Sequence, residues 1–250
     1  MSSSAERMES AGPLCPALLP ELALGLPLEA PPDLEFASLA LGTPADVFQV
    51  LGEPSFSPSA VPKRRAEFAA GRHAAALALS GLGCSEAVRR EPSGAPRFPT
   101  GFVGSISHGA GAAVAVVGRA RDYRGLGIDV EERISAELAA EIIDQVLCPA
   151  ELELLARAFP GLSAACQLSL GFSIKESLYK CLNPVADEFI EFTDALLSRV
   201  TPRTSSSGKI WLSLTRSFTG ELEAGMEVPG CYVLGEARVE TLAWLRWRRS

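Results

Sequence analysis

Two short runs of this chain carry acidic and basic side chains at spacings that regular secondary structure would bring together. In the run F-S-I-K-E-S-L-Y-K, Glu176 and Lys180 lie one turn apart on one face if the run is helical. In the run G-I-D-V-E, Asp129 and Glu131 share a face if the run is a strand, because side chains alternate. Three carboxylates and a lysine form an oxygen-rich site for a hard divalent cation beside a phosphate-binding ammonium.

Each run taken alone also has an ordinary structural explanation. A D-x-E pattern is common at a polar strand end, and Glu176 with Lys180 is a typical helix ion pair worth roughly 0.2–0.5 kcal/mol. Two features favour a cleft wall instead. Gly127 permits close backbone approach, and the charges of the run F-S-I-K-E-S-L-Y-K are surrounded by apolar residues: Phe172, Ile174, Leu178, Tyr179 and Leu182.

Two further elements carry groups suited to phosphate. Ser107 and His108 are adjacent and therefore face opposite ways on a strand, which makes them a poor nucleophile and base but suitable phosphate contacts. Arg64 and Arg72 are eight residues apart, close to the same face of a helix, and arginine forks suit phosphate. A capping serine, a structural histidine and a solvated helix face remain the alternatives. Lys175 lies about 100° around the helix from Glu176 and is expected at a rim or phosphate.

Composition excludes several classes of protein. The 250 residues are 47% hydrophobic and 21% charged, which is typical of a globular protein, and a net charge of −7 argues against a general nucleic-acid binder. Two histidines do not suffice for a His-rich metal site, and six cysteines without a C-x-x-C pair indicate neither a zinc ribbon nor a disulfide framework. Without a secretory signal or a long apolar run, we expect a cytoplasmic protein that does not enter a membrane.

The order of the elements favours an α+β fold. The first twenty residues are predicted to be flexible, an N-terminal lobe to span 21–120 and a C-terminal lobe to span 121–250, with a charged turn near Arg119–Arg124 as the boundary. The predicted elements are helices at 64–80, 136–147, 150–158 and 164–182 and strands at 103–106, 112–117, 126–131, 192–199, 209–215 and 231–239, with a closing element through Trp244 and Trp247. Residues 85–101 are predicted as a loop, and 21–62 as loops with short strands.

In chain order, the motifs R…R, S-I-S-H, G-I-D-V-E and F-S-I-K-E-S-L-Y-K resemble the 4′-phosphopantetheinyl transferases of the two-lobed monomeric type, which serve polyketide, nonribosomal-peptide and siderophore synthases. The resemblance runs from about Pro62 to about Phe192. It implies two similar α+β lobes in a pseudo-twofold arrangement, with the active site in the cleft between them. It also implies transfer of phosphopantetheine from coenzyme A to a serine of an acyl or peptidyl carrier protein, with release of 3′,5′-ADP.

The resemblance also assigns roles to residues. Asp129, Glu131 and Glu176 would hold Mg²⁺ against the coenzyme A pyrophosphate, with Glu176 also taking the serine proton and Lys180 assisting the leaving group. Glu132 is not assigned, because it should face away. The remaining coenzyme A contacts would be Arg64, Arg72, Ser107 and His108 to phosphates, the loop Ser93, Gly94, Ala95 and Pro96 to adenine, and Ile190 to the pantetheine arm.

Two positions depart from the family pattern. Ser93 stands where the family often has lysine, so Arg90 or Arg97 is a candidate replacement, and Phe98-Pro99 replaces the usual Trp-Pro. Docking of an acidic carrier protein would need a local patch, for which Arg119, Arg121 and Arg124 are candidates. The alternatives are a metal-dependent nucleotide pyrophosphate hydrolase and a non-catalytic coenzyme A-binding protein.

Overall fold

The computed structural model describes residues 29–41, 62–186, 188–219 and 221–247. The predicted flexible N-terminus, 1–20, and most of the proline-rich region 21–62 therefore lie outside the described residues. The described elements in chain order are β1 Glu35–Ala40, α1 Pro62–Gly81, β2 Arg89–Arg90, β3 Pro96–Arg97, β4 Phe102–Gly109, β5 Ala112–Arg119, β6 Tyr123–Glu132, α2 Ala136–Val146, α3 Pro149–Ala158, α4 Ala164–Ala186, a 3₁₀ turn Phe192–Asp194, β7 Ala195–Pro202, β8 Ser207–Leu214, β9 Glu227–Leu234 and β10 Arg238–Arg246.

The first sheet is antiparallel with strand order β1-β5-β4, and its central strand β5 is buried on both faces. That burial explains why β5 reads A-A-V-A-V-V without alternation. On one face, Ala115 and Val117 pack against Ala74 and Leu79 of α1. The other face packs against β6 and β10 through residues that include Val114, Val116, Ile128, Val130 and Leu242. The first sheet is thus held between α1 and the second sheet.

The second sheet is antiparallel with strand order β6-β10-β9-β8-β7. The long helix α4 packs across it, and α2 and α3 cover the outer side of α4 and the end of the sheet at β7. The core between these helices and the sheet includes Leu168, Leu170, Ile174, Leu178, Leu182, Ile210, Leu212 and Tyr232. The edge strand β6 touches both halves of the molecule, because β4 and β5 contact it from the first sheet.

The predicted mixed α+β class is confirmed, and most of the predicted elements are present within a few residues. The predicted strand at 231–239 is wrong, because Gly235 and its neighbours form a turn between β9 and β10, and the closing element is itself a nine-residue strand. Helix α4 extends four residues beyond the predicted Leu182, with Pro184 in its last turn, where it removes one helical hydrogen bond. The predicted loop 85–101 contains the short β2–β3 hairpin.

The cysteines that the structure describes are free thiols. Cys15 lies outside the described residues. Within the described ranges, no helix has the length and apolar character needed to span a membrane. The lobe boundary near Arg119–Arg124 stays a prediction, although the residues between β5 and β6 do form a turn.

Candidate functional site

Strand β6 and helix α4 meet without intervening side chains. A Cβ added to Gly127 would overlap the carbonyl oxygen of Ser177, and one added to Gly125 would overlap the carbonyl oxygen of Cys181. Glycine is therefore required at both positions for the helix to lie on the strand. Because side chains alternate along β6, the next two residues on this face are Asp129 and Glu131.

Asp129 is almost completely buried and is the centre of a polar network. Lys180 of α4 forms an ion pair with it, with 2.5 Å between Nζ and Oδ1. The same oxygen accepts a hydrogen bond of 3.0 Å from the Ser107 hydroxyl of β4, and Lys180 Nζ also donates to the Ser107 hydroxyl over 3.1 Å. Strand β4 comes this close because Gly109 has no side chain, since a Cβ there would lie 2.5 Å from the carbonyl oxygen of Val130.

Two more carboxylates are half-buried beside this network. Burial raises the pKa of Glu131 to about 7, with the charges of Asp129 and Glu176 adding to the rise and Lys180 opposing it. Burial also raises the pKa of Glu176, again with a contribution from Asp129 and opposition from Lys180. One ammonium thus faces three acidic groups, and a second cation would relieve their remaining repulsion.

The donor set fits a magnesium ion in its chemistry, since all three groups are carboxylates on adjoining elements. The described residues do not, however, include three or more His, Cys, Asp or Glu side chains grouped closely enough to hold an ion by themselves. Magnesium is commonly held by one or two carboxylates with waters and substrate phosphates, so a complete protein cage is not required. The predicted metal set Asp129, Glu131 and Glu176 stays a prediction.

The start of α1 lies beside the end of β4, where Glu67 and Arg64 of α1 act on His108 of β4. His108 Nδ1 lies 3.7 Å from Glu67 Oε2, and its side chain is partly exposed. Burial lowers the pKa of His108, and the positive charges of Lys180 and Arg64 lower it further, against the effect of Glu67. Arg64, which is exposed, and Lys180 are therefore both close enough to His108 for their charges to affect it. All three side chains are of types that can bind phosphate.

Arg72 differs from Arg64 in its surroundings, although the two were predicted on nearly one face. It is only 7% exposed, and its guanidinium carbon lies 4.8 Å from the centre of the Phe68 ring. Arg90 of β2 approaches the same ring at 5.9 Å. Arg97 lies 3.5 Å from Glu91 instead. Of the two candidate replacements for the missing lysine, Arg90 is therefore the one beside Arg72.

The predicted adenine loop is the turn of the β2–β3 hairpin. Gly94 has a φ of +94°, which favours glycine, and its N–H donates to the carbonyl oxygen of Glu91. The N–H of Ala95 donates to the Ser93 hydroxyl over 3.4 Å. Ser93, Ala95 and Pro96 are exposed. The turn therefore presents a small surface to solvent next to Arg90.

A cavity of about 530 Å³ lies beside Glu176 on α4. Ile190 is part of its wall and is buried. Its apolar and aromatic lining also includes Leu178, Tyr179, Phe189 and Phe192, and polar residues such as Gln145, Glu191 and Thr193 complete the wall. A carboxylate thus borders a partly apolar cavity whose volume is in the range that small-molecule sites occupy.

The prediction that Lys175 lies at a rim or binds a phosphate is wrong. Lys175 is 3% exposed and pairs with the equally buried Glu151 of α3 at 2.9 Å. Its remaining donors bond the carbonyl oxygens of Val146 and Phe192. Glu151 also accepts from the N–H of Leu197 in β7. The pair fixes α4 against α3 and β7, with all three ammonium donors used.

Sequence reasoning did not identify three hydroxyl groups behind Asp129. Ser173 donates to Asp129 Oδ2 over 2.8 Å, and Thr241 of β10 lies within hydrogen-bond distance of both Ser173 and Ser177. Thr241 is the cross-strand neighbour of Asp129. The two serines flank Glu176 in the α4 motif and were visible in the sequence, but Thr241 lies in no motif, and only strand register identifies it.

Comparison with known proteins agrees with this architecture. The model of the 4′-phosphopantetheinyl transferase N-terminal domain matches residues 53–118, and the model of the 4′-phosphopantetheinyl transferase superfamily matches residues 125–225. The second match contains most of β6 and all of α4, which carry most of the charged network. The chain belongs to the 4′-phosphopantetheinyl transferase superfamily.

Among individual relatives, the 4′-phosphopantetheinyl transferase PptT of Mycobacterium tuberculosis is 34% identical over 185 residues, which are 74% of this chain and 79% of the relative. The 4′-phosphopantetheinyl transferase Npt of Nocardia iowensis is 34% identical over 166 residues, 66% of this chain and 72% of the relative. Enterobactin synthase component D of Escherichia coli O157:H7 is 42% identical over 120 residues, 47% of this chain and 54% of that protein.

Proposed function

We propose that this protein transfers the 4′-phosphopantetheine arm of coenzyme A to a serine hydroxyl of acyl and peptidyl carrier protein domains, with release of 3′,5′-ADP. The observation that carries the proposal is the contact of β6 with α4. It brings Asp129, Glu131, Glu176 and Lys180 together in a member of this superfamily. The names of the relatives, which include two 4′-phosphopantetheinyl transferases, support the same reaction.

Asp129, Glu131 and Glu176 would hold Mg²⁺ in this scheme. The ion would neutralise the pyrophosphate of coenzyme A and stabilise negative charge on the departing 3′,5′-ADP. The raised pKa of Glu131 supports the assignment, because it is caused first by burial and then by the neighbouring charges of Asp129 and Glu176, and a bound cation would offset both. Lys180 supplies the positive charge in the protein itself, and Ser107 and Asp129 take two of its three donors. Its third donor is then available to a substrate phosphate.

Glu176 would accept the proton of the carrier serine. The reaction forms a bond from the serine oxygen to the β-phosphorus of coenzyme A and breaks the bond from that phosphorus to the bridging oxygen. The serine proton passes to Glu176, and the electron pair of the broken bond leaves on 3′,5′-ADP. Burial raises the pKa of Glu176 and so makes its carboxylate a stronger base than a free one.

The nucleotide end of coenzyme A would bind on the side of α1. Arg64 and His108 are suited to the phosphates, Arg72 and Arg90 both lie near the Phe68 ring, and the turn Ser93–Pro96 would lie against the adenine. Arg90 would supply the contact that lysine makes in other family members. The pantetheine arm would extend towards the apolar cavity at Ile190, on the far side of Glu176.

We further propose that the two sheets are the centres of two lobes in a pseudo-twofold arrangement, with the active site in the cleft between them. Each sheet is antiparallel and packs against a long helix, α1 of 20 residues and α4 of 23. The proposed site takes Ser107 from the first half and Asp129 and Lys180 from the second. Because one chain supplies all these residues, a monomer is expected to suffice.

Carrier-protein docking is expected to depend little on two of the three candidate arginines. Arg119 donates to the carbonyl oxygen of Leu82, and Arg124 pairs with Glu221 and is mostly buried. Arg121 is 80% exposed, and its contact with Asp122 at 3.5 Å lies at the surface, where such pairs are weak and an acidic partner can replace them. An exposed aromatic residue at the cavity, Phe189, offers an apolar contact close to the proposed base.

Intact-mass spectrometry of an apo carrier protein tests the proposal. The carrier is incubated with this protein, coenzyme A and Mg²⁺, with EDTA in the control. A metal-dependent mass gain of one phosphopantetheine group on the carrier serine is expected. Cleavage of coenzyme A with an unmodified carrier would identify a pyrophosphate hydrolase instead. Binding of coenzyme A without any reaction, across several acyl and peptidyl carriers, would identify a coenzyme A-binding protein.

A further inference from the structure

A connected set of buried hydroxyl groups lies behind Asp129, on the side away from Lys180. It consists of Ser173 and Ser177 of α4 and Thr241 of β10, and we call these three residues the hydroxyl chain. All three are completely buried. Ser173 Oγ is 2.8 Å from Asp129 Oδ2 and 2.9 Å from Thr241 Oγ1, and Ser177 Oγ is 2.7 Å from Thr241 Oγ1.

The chemistry of the groups fixes the direction of the hydrogen bonds that matter. A carboxylate only accepts, so the single hydroxyl hydrogen of Ser173 is used on Asp129. The bond between Ser173 and Thr241 must then be donated by Thr241. The Ser177 hydroxyl reaches both the hydroxyl and the carbonyl oxygen of Thr241 and can donate to either. Thr241 thus donates to Ser173, which donates to Asp129.

A helical serine has a competing partner, the carbonyl oxygen four residues earlier. Ser169, one turn before Ser173 on the same helix, has this bond, since its hydroxyl donates to the carbonyl oxygen of Ala165. Ser173 instead reaches across to β6. The Thr241 hydroxyl of β10 donates a hydrogen bond to the Ser173 hydroxyl. This bond favours the Ser173 rotamer that contacts Asp129, because the Ser173 oxygen must point towards β10 to accept it.

We propose that Thr241 is a positioning residue, which acts through Ser173 to hold the Asp129 carboxylate with Oδ2 against the hydroxyl chain and Oδ1 towards Lys180 and the cleft. The inference rests on the proposed function, in which Asp129 holds Mg²⁺. Thr241 itself touches neither substrate nor metal in this scheme. Residues that orient a metal ligand typically change metal affinity or activity by roughly 10–100-fold when they are replaced.

The test compares Thr241→Val, which keeps the shape and removes the hydroxyl, with Thr241→Ser, which keeps the hydroxyl. In the transfer assay, Thr241→Val is expected to raise the Mg²⁺ concentration for half-maximal rate about tenfold and to lower kcat, whereas Thr241→Ser stays within about threefold of wild type. Calorimetric titration of the coenzyme A complex with Mg²⁺ should show the same loss of affinity. Binding of 3′,5′-ADP in EDTA should not change, because its contacts lie elsewhere.

Ser169→Ala is the matched control for stability. Ser169 is also a buried hydroxyl on α4, but its hydroxyl is hydrogen-bonded to the N–H of Ile134 and the carbonyl oxygen of Ala165 instead of to the hydroxyl chain. Its loss should lower the melting temperature without changing the Mg²⁺ dependence. The coupling to Ser173 is tested by adding Thr241→Val to Ser173→Ala, where the threonine change should have no further effect on Mg²⁺ affinity.

An unchanged Mg²⁺ affinity in Thr241→Val, or an equal loss in Ser169→Ala, would overturn the positioning role. A full additional effect of Thr241→Val in the Ser173→Ala background would overturn the route through Ser173. Failure of the proposed function is a separate outcome, because the wild-type protein would then transfer nothing to any carrier. If Thr241→Val failed to fold, its melting curve would show this. The same Mg²⁺ titration would then compare Thr241→Ser with Ser173→Ala. Near-wild-type affinity is expected in Thr241→Ser and reduced affinity in Ser173→Ala, and equal affinities would overturn the proposal.

Discussion

Replacement of Gly127 by alanine tests the contact that assembles the site. An added Cβ would overlap the carbonyl oxygen of Ser177 and lie 2.6 Å from the backbone nitrogen of Cys181, whereas ordinary contact begins at 3.4 Å. Both obstacles are backbone atoms of α4 and cannot rotate away. The helix must therefore move away from β6 by roughly 1 Å or more, which is enough to separate Lys180 from Asp129.

The expected cost is at the upper end of overpacking, about 3 kcal/mol. For a protein of this size that corresponds to a fall in melting temperature of roughly 6–12 °C. A displacement of about 1 Å at reacting groups can lower a rate by 10²-fold, so transfer should fall by about that factor in the protein that remains folded.

Thermal unfolding followed by circular dichroism measures the first effect, and carrier modification at a temperature well below unfolding measures the second. Gly161→Ala is the control, because a Cβ there would meet nothing within 4 Å. If Gly127→Ala matched Gly161→Ala in both melting temperature and rate, the close packing of β6 on α4 would not be what positions the site.

Three further predictions concern single residues. Glu176→Gln should lower the transfer rate by roughly 10²–10⁴-fold and largely spare coenzyme A binding, and retained turnover would refute its role as base. Lys175→Met should leave Glu151 charged and unpaired and cost about 3–5 kcal/mol in denaturant unfolding, and an unchanged midpoint would contradict the buried pair. The hydrogen bond from Arg216 lowers the pKa of Asp194 below its ordinary value of 3.8. The ion pair therefore stabilises the folded protein above pH 3.8, and this stabilisation is lost as the pH falls through the lowered pKa of Asp194 in the folded state. The stability difference between wild type and Asp194→Asn should therefore shrink below that pH, and a constant difference would argue against the pair.

The periodicity of the sequence was enough to predict the fold class and to predict which charged residues share a face of a strand or helix. Alternation put Asp129 and Glu131 on one face of a strand, and the helical repeat put Glu176 beside Lys180. The glycine before Asp129 also indicated close packing, and the structure shows a backbone of α4 at that position. These conclusions depend on neighbours in sequence, which is where such patterns are informative.

Features that depend on long-range packing were not predicted. Lys175 belongs to the same motif as Glu176, yet a helix rotation of about 100° takes it into the core, where only the tertiary fold supplies Glu151. Thr241 is 112 residues from Asp129 in the chain and meets it through strand register alone. The β9–β10 turn was missed because V-L-G-E-A-R-V-E has apolar residues on both sides of a turn that contains a single glycine.

A crystal structure of the protein with coenzyme A and Mn²⁺, with the metal located by its anomalous scattering, would show directly whether the carboxylates hold the ion. We expect one metal peak within coordination distance of Asp129 and of a pyrophosphate oxygen, with Lys180 on the same pyrophosphate and the nucleotide on the side of Arg64. Coenzyme A bound away from the contact of β6 with α4, or a metal peak that none of the three carboxylates touches, would contradict this expectation.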